Sequence, residues 1–145
     1  MATHNRPAPD AAALDAAARR IGDRWSLRLV GALLDSDRTF SELATAVDGI
    51  APTILTARLR TLQRMALVTA VPYERRPPRM RYSLTEPGRR LAGALASLAE
   101  WGAAREGRGP ARVHVSCGSA VEDRPWCPTC ERSVADETAD DLIWC

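Results

Sequence analysis

The stretch IAPTILTARLRTLQRMALVTAVPYERRPPRMRYSLT, residues 50–85, decides the fold. Pro52 suits the first position of a helix, where its missing N–H would have had no partner anyway. Leu55, Leu59 and Leu62 then fall at i, i+4 and i+7, the spacing of one buried helical face. The other side of that helix carries Thr53, Thr56, Arg60 and Arg64, with Arg58 to one side. LVTAVPY (67–73) is rich in β-branched residues and predicts a strand, ERRPPR (74–79) a basic turn, and MRYSLT (80–85) a second strand. The result is a helix followed at once by a β-hairpin with an arginine tip.

Upstream, TFSELATAV (39–47) predicts a short helix with Ser41 as its N-cap, Phe40 stapling its start, and Leu43 and Val47 facing inward. A turn through Asp48 and Gly49 joins it to the helix that Pro52 opens. Two short helices joined by a tight turn, the second polar and basic outside, make a helix-turn-helix. Generic helical hairpins share that pattern; the hairpin that follows, read as a wing, is what separates this chain from them. Before this unit, Asp10 can cap an Ala- and Leu-rich helix reaching Ile21, and Gly22 breaks it. A second helix, from about Arg24 to Leu34, places Trp25, Leu29, Ala32 and Leu33 on one side. Trp25 reads as a core anchor rather than a ligand contact. Residues 1–9 read as a flexible tail. After the hairpin, Thr85 caps a helix of about four turns with Pro87 in its first turn and an apolar stripe of Leu91, Leu95, Leu98 and Trp101. That stripe either closes the domain's own core or pairs with its copy in a second chain.

The 145 residues suit one domain with an appendage, and a hydrophobic fraction of 46% with 26% charged residues is ordinary for a globular chain. No apolar run approaches the roughly 18 residues that a membrane span needs, and MATHNRPAPD lacks a charged segment followed by an apolar one. A cytoplasmic location without a membrane partner is therefore expected, and there thiols stay reduced and cysteine clusters favour metal. Net charge is only +2, and all 20 basic residues are arginine. Their distribution is uneven: from Arg58 to Arg90 nine arginines face two glutamates, a local +7, whereas Glu131–Cys145 holds five acids and one arginine. Such a stripe on a nearly neutral chain is the footprint of a polyanion binder, and the planar guanidinium fork can grip phosphate or a guanine edge. A compositional preference for arginine explains the missing lysines but not the clustering.

The chain resembles the HxlR-type winged helix-turn-helix regulators, relatives of the MarR-type proteins. The residues that carry the resemblance are IGDRW (21–25), FSEL (40–43), IAPTILTARLRTLQRMALV (50–68), YSLT (82–85) and EW (100–101), in the family's order and spacing. The resemblance implies a mainly α fold with a small β-hairpin wing (α+β), spanning residues 10–106 and dimerising through its N- and C-terminal helices. It implies a homodimer on double-stranded DNA, with half-sites about one duplex turn apart and hence a roughly palindromic operator. Carried over by position, Thr53, Thr56, Arg58, Arg60 and Arg64 lie on or beside the recognition helix, and Arg75, Arg76 and Arg79 lie on the wing. An internal ion pair is the other role open to Arg58. Several members of the family sense oxidants or electrophiles through a cysteine near the start of the first helix; DAAALDAAARR (10–20) contains none.

All four cysteines, Cys117, Cys127, Cys130 and Cys145, lie in the last 29 residues. CPTC (127–130) has the shape of a zinc knuckle, and HVSCG (114–118) repeats its two-residue gap, with Gly118 able to adopt the positive φ such turns use. His114, Cys117, Cys127 and Cys130 are thus candidate tetrahedral ligands of a structural zinc ion in a zinc-ribbon-like extension over residues 112–145. Cys145 can replace His114 as the fourth ligand. A redox-active or disulfide-forming CPTC pair, or an unmetallated loop, remain the other readings.

Together these features predict a sequence-specific DNA-binding transcription regulator, a repressor by preference, modulated by an unknown small-molecule or redox effector. The rival is a winged-helix protein-interaction module whose zinc-ribbon tail recruits a partner. An enzyme is not expected: a zinc hydrolase with Glu122 as base would need an open coordination position, which thiolate-rich four-ligand sites lack. Phosphate-binding glycine loops and a Ser-His-Asp set are likewise absent from the sequence.

Overall fold

The computed structural model describes residues 9–108, 112–121, 124 and 126–134. The elements run α1 (Ala11–Ile21), α2 (Arg24–Asp35), β1 (Arg38–Thr39), α3 (Phe40–Ala46), α4 (Pro52–Arg64), β2 (Val68–Arg75), β3 (Pro78–Leu84), α5 (Glu86–Arg89), α6 (Ala92–Arg105), β4 (Trp126–Cys127) and β5 (Arg132–Ser133). No helix among the described residues is long and apolar enough to cross a membrane. The architecture is helix-rich α+β, with a three-stranded antiparallel sheet ordered β1-β3-β2 and a separate β4-β5 hairpin.

Local chemistry explains most of the boundaries. Asp10 caps α1 by accepting from the amides of Ala12 and Ala13, and Asp23 caps α2 by accepting from Trp25 and Ser26. The expected Ser41 cap of α3 is displaced by two residues. Thr39 Oγ1 accepts from the Glu42 amide, and the Glu42 carboxylate accepts from the Thr39 amide at 2.6 Å, a reciprocal capping box. Ser41 therefore sits in the first turn. Phe40 becomes the first helical residue and packs on the core from there. Arg28 of α2 donates to the Asp48 carbonyl at 3.0 Å, tying α2 to the turn between α3 and α4.

The core is one cluster built from Leu29, Val30 and Leu33 of α2, Leu43 of α3, Leu55, Leu59 and Leu62 of α4, and Val47, Ile50, Val68 and Leu84 around them. The periodicity read for α4 holds: Leu55, Leu59 and Leu62 are 0%, 2% and 0% exposed. Trp25 packs against this cluster from the side, with the Arg24 guanidinium 4.1 Å and the Arg28 guanidinium 5.5 Å from its ring centroid.

The long β2-β3 ladder runs from Val68↔Leu84 to Arg75↔Pro78, with an irregularity between Pro72 and Glu74 that skips Tyr73. The hairpin's root is locked to α4 and α5. Thr85 donates its amide to the Leu67 carbonyl and its hydroxyl to the Ala66 carbonyl, while accepting from the Gly88 amide. Gly88 is needed there because a Cβ would lie 2.3 Å from the Leu67 carbonyl oxygen. The helix expected after Thr85 is interrupted at this point. The Leu91 amide bonds to Gly88, three residues back, and a regular helix resumes only at Ala92. The apolar stripe is divided accordingly: Leu91 and Leu95 pack on the core, whereas Leu98 is 53% and Trp101 68% exposed.

Beyond α6, Arg112 reaches back to Glu100, with Nη2 at 2.8 Å and Nε at 2.9 Å from the carboxylate. A bridge Val113↔Ala120 and the β4-β5 hairpin follow. The tail expected over residues 1–9 lies outside the described residues apart from Pro9, as do residues 135–145 of the extension.

Leu59→Ala is expected to lower unfolding free energy by about 2–5 kcal/mol, because it opens a cavity where α2, α3 and α4 meet. Chemical denaturation followed by far-UV circular dichroism measures it; a loss under about 1 kcal/mol would mean the cluster is not tightly packed.

Candidate nucleic-acid interface

The outward side of α4 follows from its inward side. With Leu55, Leu59 and Leu62 buried, Thr53, Ala57, Arg60 and Arg64 stand exposed along the helix at the same period. Arg60 and Arg64 have no acidic partner among the described residues. Arg64 Nη2 donates to the Thr61 hydroxyl at 3.1 Å, and that hydroxyl donates to the Ala57 carbonyl, which holds the guanidinium along the helix surface. Thr56 is half-buried, and its hydroxyl donates to the Pro52 carbonyl at 2.9 Å, so it keeps acceptor capacity only.

Arg58 takes the internal role. Its Nη1 lies 3.3 Å from the Asp23 carboxylate, half-buried between α4 and the start of α2. Asp23 thereby serves both as the N-cap of α2 and as the anchor of α4. Burial pushes its carboxyl upward, but the Ser26 and Trp25 amides and the Arg58 charge outweigh this, and the pKa falls below 3.8. At Glu42 the hydrogen bonds from Thr39 lower the pKa, with smaller help from Arg81 and Arg38.

The wing carries Arg75, Arg76 and Arg79 at or beside its tip, where Arg75 pairs with Pro78 across the ladder. Arg76 is exposed, and Arg79 Nε lies 3.4 Å from the Glu74 carboxylate in an exposed pair. Such a pair is weak and open to competition from another anion. Two residues that the sequence did not single out stiffen the hairpin. Arg81 stacks 5.4 Å from the centroid of Tyr73 and donates to the Asp37 carbonyl at 3.3 Å. The wing and α3 flank an open cleft of about 480 Å³ lined by Thr39, Phe40, Ser41, Tyr73, Pro78, Arg79, Met80 and Tyr82. Gln63, exposed beside Arg60 and Arg64, was also missed. Continuing the outward period of α4 through its last turn would have found it.

In the extension, His114 Nδ1 lies 3.3 Å from Cys117 Sγ. Hydrogen bonds from Ser119, then from His114, lower the Cys117 pKa, while the neighbouring Cys127 raises that of Cys130. The structure thus pairs His114 with Cys117 and Cys127 with Cys130. Among the described residues, no three His, Cys, Asp or Glu side chains already surround a common point. Cys145 and Glu122 lie outside the described residues.

Proteins described as helix-turn-helix transcription regulators share this sequence pattern and this shape. The profile of the family described as HxlR-like helix-turn-helix matches residues 20–108. An HTH-type transcriptional regulator of Mycobacterium tuberculosis, itself uncharacterised, is 34% identical over 118 residues, which cover 79% of this chain and 74% of that protein. Among solved structures, the redox regulator HypR in its reduced form superimposes with a TM-score of 0.61 at 30% identity, covering 65% of this chain and 93% of that one. A protein from Enterococcus faecalis described as a transcriptional regulator of the MarR family gives 0.59 at 33% identity, covering 69% and 91%.

Replacing Asp23 by Asn keeps a capping oxygen but removes the charge facing Arg58. Because the folded-state pKa is depressed, the carboxylate's stabilisation is present above pH 3.8 and is lost as pH falls through the folded value. The stability gap between wild type and Asp23→Asn should therefore be largest near neutrality and shrink toward pH 3. Urea midpoints at the two pH values test this, and a gap independent of pH would remove the charge from the explanation.

Proposed function

The chain belongs to the HxlR-like helix-turn-helix family of DNA-binding transcription regulators, and on that premise we propose that it acts as a homodimeric repressor on a roughly palindromic operator. The observation that carries this reading is the single exposed face bearing Arg60 and Arg64 on α4, beside a wing tipped by Arg76. In this proposal α4 enters the major groove, Arg60 and Arg64 read base edges or phosphates there, and Thr53 approaches the backbone near the helix start. Gln63 is an additional candidate for an adenine edge. The wing arginines Arg75, Arg76 and Arg79 contact phosphates and the minor groove, with Glu74 giving way to phosphate at Arg79. Thr56 and Arg58 become supporting residues. Thr56 has spent its donor on Pro52, and Arg58 positions α4 through Asp23.

Two helices support the dimer. Neither α1 nor α6 has a buried residue in the single chain, although both are rich in alanine and carry large apolar groups. Leu14 is 56% exposed, and Leu98 and Trp101 more than half. Helices of this kind owe most of their stability to packing, so an uncovered pair favours a second copy as the cover. A shift of a few Å between the paired recognition helices would stop both from seating one duplex turn apart, and an effector works on that spacing. One structural relative is a redox regulator; in this chain α1 contains no cysteine, so a redox signal would have to enter through the C-terminal extension.

Duplexes enriched by repeated selection from a random pool provide the operator. Against them, Arg60→Ala with Arg64→Ala should weaken binding by at least about tenfold, since each good bidentate contact contributes about 1–3 kcal/mol. The slope of log affinity against log salt should be steep for wild type and shallower by about one for each phosphate that a variant no longer neutralises. Undiminished binding by the double variant would overturn the placement of α4, and salt-independent binding would favour a protein-interaction module. Trp101→Asp with Leu98→Asp should convert a dimer to a monomer in analytical ultracentrifugation, with the fold retained by circular dichroism; an unchanged dimer would move the interface elsewhere.

A further inference from the structure

The extension contains the same turn twice. Adding 13 to each residue number of the first turn gives the second: the bridge Val113↔Ala120 becomes Trp126↔Ser133, His114 becomes Cys127, and Cys117 becomes Cys130. The residue after the second member of each pair has a positive φ in both, +70° at Gly118 and +51° at Glu131. Glycine adopts that conformation freely, but glutamate does so only at a cost, so the turn at Glu131 is held against its residue's own preference. Two hairpins of one register, each presenting two soft or borderline donors from positions i and i+3, are the two halves of a zinc ribbon.

We propose that His114, Cys117, Cys127 and Cys130 close on one zinc ion as a four-ligand structural site. The first pair already has ligand spacing. Bonds of about 2.0–2.1 Å to nitrogen and about 2.3 Å to sulfur place tetrahedral neighbours about 3.6 Å apart. His114 Nδ1 and Cys117 Sγ lie 3.3 Å apart. Since no three such side chains yet share a point, assembly requires the second turn to close onto the first. On binding, the three thiols release their protons to solvent and the histidine enters neutral, so the site carries one net negative charge.

A second, independent observation calls for the ion. Val134 is the only buried hydrophobic residue among the described residues of the extension, while Val115 is 97%, Trp126 61% and Val113 51% exposed. Two hairpins without an apolar core need a cross-link to hold their shape, and a bound metal contributes that free energy directly. The Arg112–Glu100 ion pair joins the cross-linked unit to α6.

The test uses the full chain, purified under reducing conditions without added zinc. Metal analysis should give about one zinc per chain, about one after Cys145→Ser, and under about a fifth after Cys117→Ser or Cys127→Ser. Because a ligand variant can simply misfold, the wild-type chain is also stripped with chelator and titrated with cobalt(II). A tetrahedral ligand-field spectrum with charge transfer from three thiolates supports the site. A wild-type zinc ratio under about a fifth with no tetrahedral cobalt spectrum overturns it. So does a Cys127–Cys130 disulfide in the isolated protein. Loss of metal in Cys145→Ser with full retention in His114→Ala would overturn the ligand set.

Discussion

The burial of one side of α4 is the constraint that the rest of the molecule inherits. Leu55, Leu59 and Leu62 are sealed against α2 and α3, and a helix turning about 100° per residue then has a single rotational setting. Rotating α4 by one residue step would carry a guanidinium toward the leucine cluster, where an unpaired charge costs several kcal/mol. The arginine surface is thus a consequence of apolar packing rather than a separate feature. The cluster also includes Val68 and Leu84, the paired residues at the root of the hairpin. Helix and wing root are therefore oriented by one core.

Arginine does three different jobs in this chain. Arg58, Arg79 and Arg90 are paired with Asp23, Glu74 and Glu86. Arg28, Arg38 and Arg81 donate to backbone carbonyls of Asp48, Ala32 and Asp37, fastening loops and helix ends. Arg60, Arg64 and Arg76 have neither kind of partner among the described residues. A fork with five donors suits ion pairs, carbonyl contacts and an exposed unpaired surface alike, so a lysine-free chain can use one residue type for all three. Asp23 links two of these levels, since its carboxylate caps α2 and pairs with the α4 arginine Arg58.

Helices α1 and α6 and the extension form the other half of the problem. In the proposed dimer the uncovered faces of α1 and α6 meet their copies, and α6 is also the helix to which Arg112 fastens the extension. The element that sets the distance between two recognition helices is then in direct contact with the cysteine-bearing unit. Under that proposal a change at the thiols has a short physical route, through Arg112 and Glu100, to the paired helices.

Periodicity and punctuation sufficed for most of the elements, though not for β1 or for the division between α5 and α6. Three leucines at helical spacing, Pro52, the Asp10 cap and the arginine-tipped hairpin mark α1, α4 and the wing, because each signal is local to a few residues. The motifs of the HxlR-type regulators were legible for the same reason. What only the tertiary structure decided were choices between partners distant in the chain. Arg58 meets Asp23, which lies 35 positions earlier, and so is held in an internal ion pair. Thr39 rather than Ser41 caps α3 because it reaches Glu42 in both directions while paired to Arg81 across the sheet. The helix after Thr85 breaks just beyond Gly88, which lies against the Leu67 carbonyl, a contact that no spacing within residues 85–105 reveals. The shared spacing of the two cysteine turns was legible, but their common bridge register and the positive φ at Glu131, where glycine would be expected, needed coordinates. Local patterns specify which face of an element is apolar, and only packing specifies what that face, and each charge beside it, is set against.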